Sequence, residues 1–261
     1  MKQTKVEDTH LAVVVPAYNE LGVGRTLQSL HDQRMRDDGG VMHIVVDNGS
    51  TDDTRARVEQ FAREHDGFPL QIVDEPGKGT GRAADTGFRY AIEHGAGIVA
   101  RTDADTLPRF DWTSRIYYKM TLPSAPQLVS GLILPIHDKD YRRGDSVLMP
   151  VASLGARAAL AISHGDVRYL RGVTGGNMAV NSDAYEQAGG FPRTRIEDLD
   201  EDIAFALRVY DRFGWGSINF DPSMVVRTSM RRVRHMGWAG TALHHLASDR
   251  SVRYRGVADI R

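Results

Sequence analysis

The sequence has 261 residues, of which 41% are hydrophobic and 26% charged, as in ordinary soluble proteins. It contains no cysteine, which excludes structural disulfides, thiolate metal sites and a cysteine nucleophile. The net charge of -1 gives no general attraction to nucleic acid, so we expect no nucleic-acid partner.

The first ten residues are polar, and no run of about 18 apolar residues follows, so we expect a cytoplasmic protein without a transmembrane segment. Residues 227–261 contain eight Arg and two Asp, which suits either a solvated tail or contact with an anionic ligand or membrane face. Residues 150–162 are apolar except for Arg157, and we expect mainly a helix packed on a sheet. Together the two segments allow peripheral contact with the inner face of a membrane.

The first half of the chain alternates strand and helix patterns. Continuous apolar runs predict strands over 11–15, 41–46, 70–73 and 98–100. Apolar residues at helical spacing predict helices over 22–36, 82–94 and a segment through Val58, Phe61 and Ala62 that Ser50 or Thr51 caps. This order predicts an α/β fold with a mostly parallel sheet, whose strand ends meet at one edge.

The second half is less regular and shows no internal repeat or linker. The patterns predict helices over 110–122 and 197–213, strands over 128–135, 218–220 and 224–226, and a glycine-led turn running into a short strand over 175–181.

Polar residues follow the first two predicted strands. Tyr18 and Glu20 end the first strand and offer an aromatic ring and an acid that suit a base and a ribose. Asp47 ends the second strand, where its carboxylate suits a base N–H. Asp52 is expected to have the simpler role of a helix cap or first-turn acid.

A glycine-rich basic loop, Pro-Gly-Lys-Gly-Thr-Gly-Arg over 76–82, opens the third predicted helix. Backbone N–H groups at such a helix start suit a phosphate. Residues 79–84 also match the dinucleotide pattern G-x-G-x-x-A, with Asp103 at the distance of a ribose-binding acid. Because this loop follows the third strand instead of the first, we interpret the dinucleotide match as coincidence.

Two carboxylates, Asp103 and Asp105, follow the fourth strand one residue apart. Like charges this close repel unless a cation lies beside them. Mg²⁺ is commonly held by one or two carboxylates together with substrate phosphates. The pair therefore predicts a divalent cation, Mn²⁺ or Mg²⁺, that binds a diphosphate.

The ordered motifs VPAYNE, VDNGSTDDT, GKGTGRAADTGF, DAD, GGNMAV with GGF, and EDIAFALR resemble the family 2 glycosyltransferases of the GT-A fold. The resemblance covers residues 11–226. It implies one GT-A catalytic domain over 1–228, with a nucleotide-binding half over about 10–106 and an acceptor-binding half over about 107–228. Residues 229–261 are then a basic C-terminal extension.

The resemblance also assigns roles to residues. The nucleotide-sugar pocket comprises Pro16, Ala17, Tyr18, Glu20, Asp47, Lys78, Arg82, Asp103 and Ala104. Asp105 is the direct metal ligand, with Asp103 beside it, and Gly175, Gly176 and Asn177 form the acceptor loop. The catalytic base belongs to Glu201-Asp202, with Asp202 favoured and Glu197-Asp198 as a competing register.

The sequence departs from the family's pattern in three respects. An acid often follows the Glu-Asp pair where this chain has Ala204, and a metal-binding His on the late strand is replaced by Arg227. The third metal ligand therefore stays open, with Arg227 meeting the diphosphate or His235 serving instead. The Gln-x-x-Arg-Trp motif of processive synthases is absent, so we expect one sugar per catalytic event.

The expected function is metal-dependent, inverting transfer of a sugar from a nucleotide-diphospho-sugar, UDP-linked first and GDP-linked second, to an acceptor hydroxyl. The acceptor is expected to be lipid-linked or a small glycoside. The alternatives are a non-catalytic nucleotide-binding module, an NAD-dependent oxidoreductase and a sugar nucleotidylyltransferase. The last class usually has a Gly-rich, Arg-containing loop after its first strand, where this chain has Pro-Ala-Tyr-Asn-Glu.

Overall fold

The computed structural model describes residues 10–33, 40–171, 173–193 and 201–247. Its centre is an eight-stranded sheet with the order β3-β2-β1-β4-β7-β6-β8-β5. The strands are β1 His10–Ala17, β2 Val41–Asp47, β3 Leu70–Asp74, β4 Ala96–Thr102, β5 Thr106–Pro108, β6 Leu128–Pro135, β7 Asn177–Asn181 and β8 Ile218–Thr228. The helices are α1 Val23–His31, α2 Thr54–Glu64, α3 Thr80–Glu93, α4 Trp112–Thr121, α5 Asp145–His164, α6 Ser182–Gln187, α7 Glu201–Phe213 and α8 Arg231–Ala247, with 3₁₀ turns at Val167–Arg171 and Trp215–Ser217.

The predicted parallel arrangement of the first four strands is confirmed. β1 pairs in parallel with both β2 and β4, and β2 pairs in parallel with β3. The register aligns Ala17 with Asp47 and Asp47 with Asp74. The polar residues that follow these strands therefore start from one edge of the sheet, where open α/β sheets bind ligands.

Two apolar layers cover the sheet because its central strands are buried on both faces. Val13 and Val15 of β1 pack with α1, α2 and α4, whereas Val14 packs with α3, α6 and α7. Such double burial explains why the strands are continuous apolar runs instead of alternating ones. Gly87 lets α3 approach the sheet, because a Cβ there would lie 2.4 Å from Cγ1 of Val14.

Several predicted boundaries differ from the structure. Ser50 and Thr51 do not cap α2; instead Oδ1 of Asp52 accepts from the Thr54 N–H at 2.9 Å. The two late strands are one strand, β8, whose pairing with β6 is interrupted by a register shift after Gly131. Residues 34–36 and 197–200, the ends of two predicted helices, lie outside the described residues.

The apolar stretch 150–162 belongs to a longer helix than expected. α5 has 20 residues, and several of its apolar side chains are exposed instead of packed on the sheet. Within the part of the chain that the structure describes, the segment Asp145–Ser163 is long and apolar enough to cross a membrane, by length and composition alone. The expected absence of a transmembrane segment stays a prediction, because length and composition alone do not decide whether this helix crosses a membrane.

Candidate active site

The turn after β1 is held against the turn after β2. Asn19 has a left-handed backbone, with φ of 47°, and its N–H donates to Oγ of Ser50 at 3.1 Å. The N–H of Thr51 donates to Oδ1 of Asn19 at 2.8 Å, and the N–H of Glu20 donates to the Thr54 hydroxyl at 2.7 Å. These bonds fix the two turns as one rim of the site.

The predicted nucleotide-pocket residues on this rim differ in exposure. The side chains of Pro16 and Ala17 are buried, so their contribution to a pocket is limited to the backbone. Tyr18 is half-buried. Asp47 is buried, and its Oδ1 accepts from the Ser50 N–H at 3.0 Å.

Asn48 attaches the glycine-rich loop to this rim, a role that the sequence reasoning missed. Its side-chain amide donates to the carbonyls of Glu75 and Gly77 at 2.8 and 2.7 Å, and its Oδ1 accepts from the Gly79 N–H at 2.9 Å. The loop is thereby held directly before the first residue of α3.

The two cationic side chains of this loop are available to a ligand. Nζ of Lys78 lies 5.9 Å from the centroid of the Tyr18 ring, and Arg82 is half-buried under the loop. Among the residues that the structure describes, the side chains of Lys78 and Arg82 form no hydrogen bond or ion pair. A base stacked near Tyr18 and a diphosphate near Arg82 would meet complementary groups.

The Asp103-Ala104-Asp105 turn is held by a hydrogen bond from α1. Ala104 is buried, and its carbonyl accepts from the Thr26 hydroxyl at 2.7 Å, which leaves the two flanking carboxylates partly exposed. Burial, with the charges of Asp103 and Glu20, raises the pKa of Asp105 above its ordinary value, against the guanidinium groups of Arg231 and Arg232. The direction thus follows first from burial and second from the neighbouring carboxylates.

Arg231, at the start of α8, is a second residue that the sequence reasoning missed. Its guanidinium pairs with the buried carboxylate of Glu20 and lies 3.6 Å from Oδ2 of Asp105. Glu20, expected to line the nucleotide pocket, is thus paired in this structure. Arg227 turns away, since its Nη1 donates to the Pro135 carbonyl at 3.1 Å, and His235 is exposed.

Arg101 of β4, whose side chain is only 3% exposed, joins the turn after β4 to the start of α7. One guanidinium nitrogen lies 3.1 Å from Oε1 of Glu201, and the other lies 3.2 Å from Oδ1 of Asp103. Although burial disfavours its charge, Asp103, Glu201 and Asp202 raise the pKa of Arg101 above its ordinary value. Arg101 is therefore a fixed cation between the two carboxylate pairs.

Asp202 is held at the start of α7. Its Oδ2 accepts from the Gly175 N–H at 2.7 Å, and its Oδ1 accepts from the N–H of Ile203 at 2.8 Å. Gly175 must lack a side chain, because a Cβ there would lie 2.7 Å from Cζ of Arg101. The competing pair, Glu197-Asp198, lies outside the described residues.

The structure places the glycines of the predicted acceptor loop beside the carboxylates and buries the side chain of Asn177. A Cβ on Gly176 would lie 2.8 Å from Oδ2 of Asp103, so this loop adjoins the carboxylates. Asn177 is fully buried, accepts from Nε1 of Trp112 at 2.8 Å and donates to two backbone carbonyls. Its side chain is therefore not exposed to an acceptor in this structure.

Arg157 of α5 reaches the same region and was not assigned a role from sequence. It donates to the Thr174 hydroxyl at 3.0 Å, directly before the Gly175 whose N–H holds Asp202. Burial lowers the pKa of Arg157, and the charge of Asp202 opposes that shift.

Asp103 and Asp105 provide hard oxygen donors that suit Mn²⁺ or Mg²⁺. Among the described residues, no group of three or more His, Asp or Glu side chains forms a complete metal site. Two carboxylates with substrate phosphates are a common Mg²⁺ environment, so the donor set fits a cation that binds with its ligand.

Comparison with known proteins agrees with this geometry. The sequence profile described as Glycosyl transferase family 2 matches residues 12–147, just over half of the chain. The glycosyltransferase AglE of Haloferax volcanii is 33% identical over 107 residues, which is 40% of this chain and 33% of that protein. The chain thus spans about one third of the length of this curated relative.

Two solved structures share the fold. The mannosyltransferase PcManGT from Pyrobaculum calidifontis, in complex with GDP-Man and Mn²⁺, is 23% identical with a TM-score of 0.66, over 92% of this chain and 62% of that one. Glucosyl-3-phosphoglycerate synthase from Mycobacterium tuberculosis, in complex with Mn²⁺, UDP and phosphoglyceric acid, is 21% identical with a TM-score of 0.61, over 95% and 81%. The fold is therefore the GT-A fold, and the chain belongs to glycosyl transferase family 2.

Proposed function

We propose that this chain transfers one sugar per catalytic event from a nucleotide-diphospho-sugar to an acceptor hydroxyl, with inversion. The observation that carries the proposal is the buried link from Asp103 through Arg101 to Glu201, beside the Asp202–Gly175 hydrogen bond. It brings the diphosphate-side carboxylates and a candidate base to one edge of the sheet. Family membership supports the same reaction class.

The donor nucleotide is proposed to bind along the rim made by the turns after β1 and β2. Tyr18 offers a ring face, Asp47 offers a carboxylate to a base N–H, and Lys78 and Arg82 offer unpaired positive charge to phosphates. UDP is the proposed carrier, with GDP second; the two similar structures hold UDP and GDP-Man respectively.

Asp105 and Asp103 are proposed to hold Mn²⁺ or Mg²⁺ with the diphosphate. When bound, such a cation offsets the charge that develops on a leaving diphosphate. Arg231 is proposed to release Glu20 and Asp105 and to face the diphosphate once donor and cation bind. The Mn²⁺ in both similar structures supports a divalent cation here.

Asp202 is proposed to take the proton of the attacking hydroxyl. A carboxylate within hydrogen-bond reach of that hydroxyl acts as a general base. The acceptor hydroxyl then attacks the sugar carbon from the side of Asp202, opposite the leaving diphosphate, and this single displacement inverts the configuration of that carbon. We place the base at Asp202 and not at Glu201 because Glu201 forms an ion pair with the buried Arg101, whereas Asp202 is positioned by the N–H groups of Gly175 and Ile203.

The test is Asp202→Asn, which keeps an oxygen that accepts from Gly175 and removes the basic carboxylate. We expect kcat to fall by about 10²–10⁴-fold, the usual contribution of general base catalysis, with an unchanged donor dissociation constant. Glu201→Gln is the matched control, and its kcat should fall less. Unchanged transfer by Asp202→Asn would reject the assignment, and donor binding without any turnover by the wild type would favour a non-catalytic module.

A further inference from the structure

The outer face of α5 exposes a stripe of large apolar side chains. Val147, Val151, Leu154 and Ile162 recur at helical spacing and are 67%, 62%, 61% and 82% exposed, with Leu148 beside them at 48%. Five of the 11 exposed large hydrophobic residues that the structure describes thus lie on one helix. A contiguous exposed apolar patch of this kind marks an interaction surface.

The opposite face of α5 is fixed to the domain. Asp145 is buried and pairs with Arg234 of α8, Arg157 donates to Thr174, and Leu160 is 5% exposed. These contacts hold the helix against the domain at its start and in its second half, while most of the segment Asp145–Ser163 stays exposed, with 11% of it buried. The arrangement is that of a helix that lies on a membrane with one side buried in the interface.

The charges around the outer face suit an anionic surface. Asp145 is the one acidic residue of α5, and it is buried. Lys139, Arg142 and Arg143, just before the helix, are exposed, and none of them forms an ion pair with another residue that the structure describes. Basic residues placed beside an apolar face are attracted by anionic lipid headgroups.

The proposed active site lies on the opposite side of the same helix. Arg157 projects from the inner side of the same helix to Thr174, and the next residue, Gly175, donates to Asp202. An α-helix with its side chains is roughly 10–12 Å across, so one helix separates the apolar stripe from the candidate base.

We infer that the outer face of α5 docks on a bilayer of anionic lipids and thereby presents Asp202 to a lipid-linked acceptor. The inference of membrane docking depends only on the exposed side chains and charges described above. The inference of a lipid-linked acceptor rests on the proposed function as well. Membrane anchoring and acceptor delivery would then be performed by two sides of one helix.

The test is co-sedimentation of the full chain with vesicles of phosphatidylcholine alone and with phosphatidylglycerol added. We expect binding to the anionic vesicles, and a loss of about ten-fold in partitioning for each of Val151→Ser and Leu154→Ser, as the transfer free energy of one such side chain implies. Replacing Lys139, Arg142 and Arg143 by Gln should cost about five-fold each on anionic vesicles only. Tyr118→Ser, at a 68% exposed aromatic on α4, is the matched control and should bind normally.

Equal vesicle binding by wild type and Val151→Ser/Leu154→Ser, or no binding by the wild type, would overturn the inference. A wild-type dimer that this double variant converts to a monomer, without vesicle binding, would assign the face to a second copy and overturn it as well. Sugar transfer to a water-soluble glycoside, measured without vesicles, tests the proposed reaction independently of membrane docking. Vesicle binding without any transfer would support docking and count against the proposed reaction.

Discussion

The residue that most constrains the site is Arg101, a buried cation with carboxylates on two sides. Its side chain leaves β4 on the same side as that of Val99, which packs in the layer that contains α7. This alternation brings it to Glu201, 100 residues later in the chain. A charged residue at the end of an apolar strand was the signal available in the sequence, but its partner depended on the fold.

Arg101→Gln should uncouple the two carboxylate pairs. Removing one partner of a buried ion pair leaves uncompensated charge and costs about 3–5 kcal/mol of folding free energy. Misplacement of Glu201 and Asp103 should also lower kcat by about 10²-fold, the order expected for a 1 Å displacement. Chemical denaturation and steady-state kinetics measure the two effects.

Arg115→Gln is the control, because Arg115 of α4 is 40% exposed and its partner Asp111, directly before α4, keeps a second ion pair with Arg109. Its loss should change the free energy of unfolding by less than about 1 kcal/mol. If Arg101→Gln behaves like this control in both measurements, Arg101 does not organise the site.

At the scale of elements, the site depends on a close approach between α3 and the start of α7. A Cβ on Gly81 would lie 2.7 Å from the Pro192 carbonyl and 3.0 Å from Cβ of Glu201. The glycine-rich loop therefore does more than face a ligand, since one of its glycines lets two helices meet beside the candidate base.

Gly81→Ala should push α3 and α7 apart, with a loss of roughly 1–3 kcal/mol in stability, as for other overpacked sites, and weaker donor binding. Gly24→Ala in α1 is the matched control, because nothing lies within 4 Å of its added Cβ. The free energy of unfolding of that control should rise by about 0.4–1 kcal/mol, because alanine reduces the conformational entropy of the unfolded chain. Thermal unfolding and nucleotide titration of both variants decide the matter, and equal stability for the two would contradict the packing argument.

The sequence allowed prediction of those elements whose pattern is local. β1 to β4 are continuous apolar runs, so their existence, order and parallel pairing followed from periodicity and connection rules. The burial of Asn177 was not foreseen because it depends on Trp112, 65 residues earlier, and Arg231 was missed because Glu20 is 211 residues away. α5 was predicted too short because the prediction began at Pro150, whereas the helix starts at Asp145 and contains this proline in its interior.

At the scale of the whole molecule, one buried histidine links stability to pH. His43 of β2 stacks on Phe68 at 4.3 Å between centroids, and burial lowers its pKa from 6.5 to about 3. Below pH 6.5 the unfolded chain binds a proton at this residue that the folded chain does not, until the pH reaches about 3. The folded state should therefore lose about 1.4 kcal/mol per pH unit across that window.

His43→Leu should remove this dependence and lower the acid-unfolding midpoint, because leucine does not titrate. His94→Leu, at an exposed histidine on the end of α3, should leave the midpoint unchanged. Circular dichroism followed from pH 7 to pH 2 would measure both. An identical midpoint for His43→Leu and wild type would show that other groups control acid unfolding.

The central claim is that this sheet edge binds a nucleoside diphosphate together with a divalent cation. A thermal-shift comparison of wild type and Asp105→Asn tests it, using UDP, GDP and NAD, each with Mn²⁺, Mg²⁺ or EDTA. We predict stabilisation of the wild type by one diphosphate, about 2.7 kcal/mol at ~100 times Kd, that disappears with EDTA and in Asp105→Asn. Stabilisation by NAD regardless of metal, or by no diphosphate under any condition, would contradict the account.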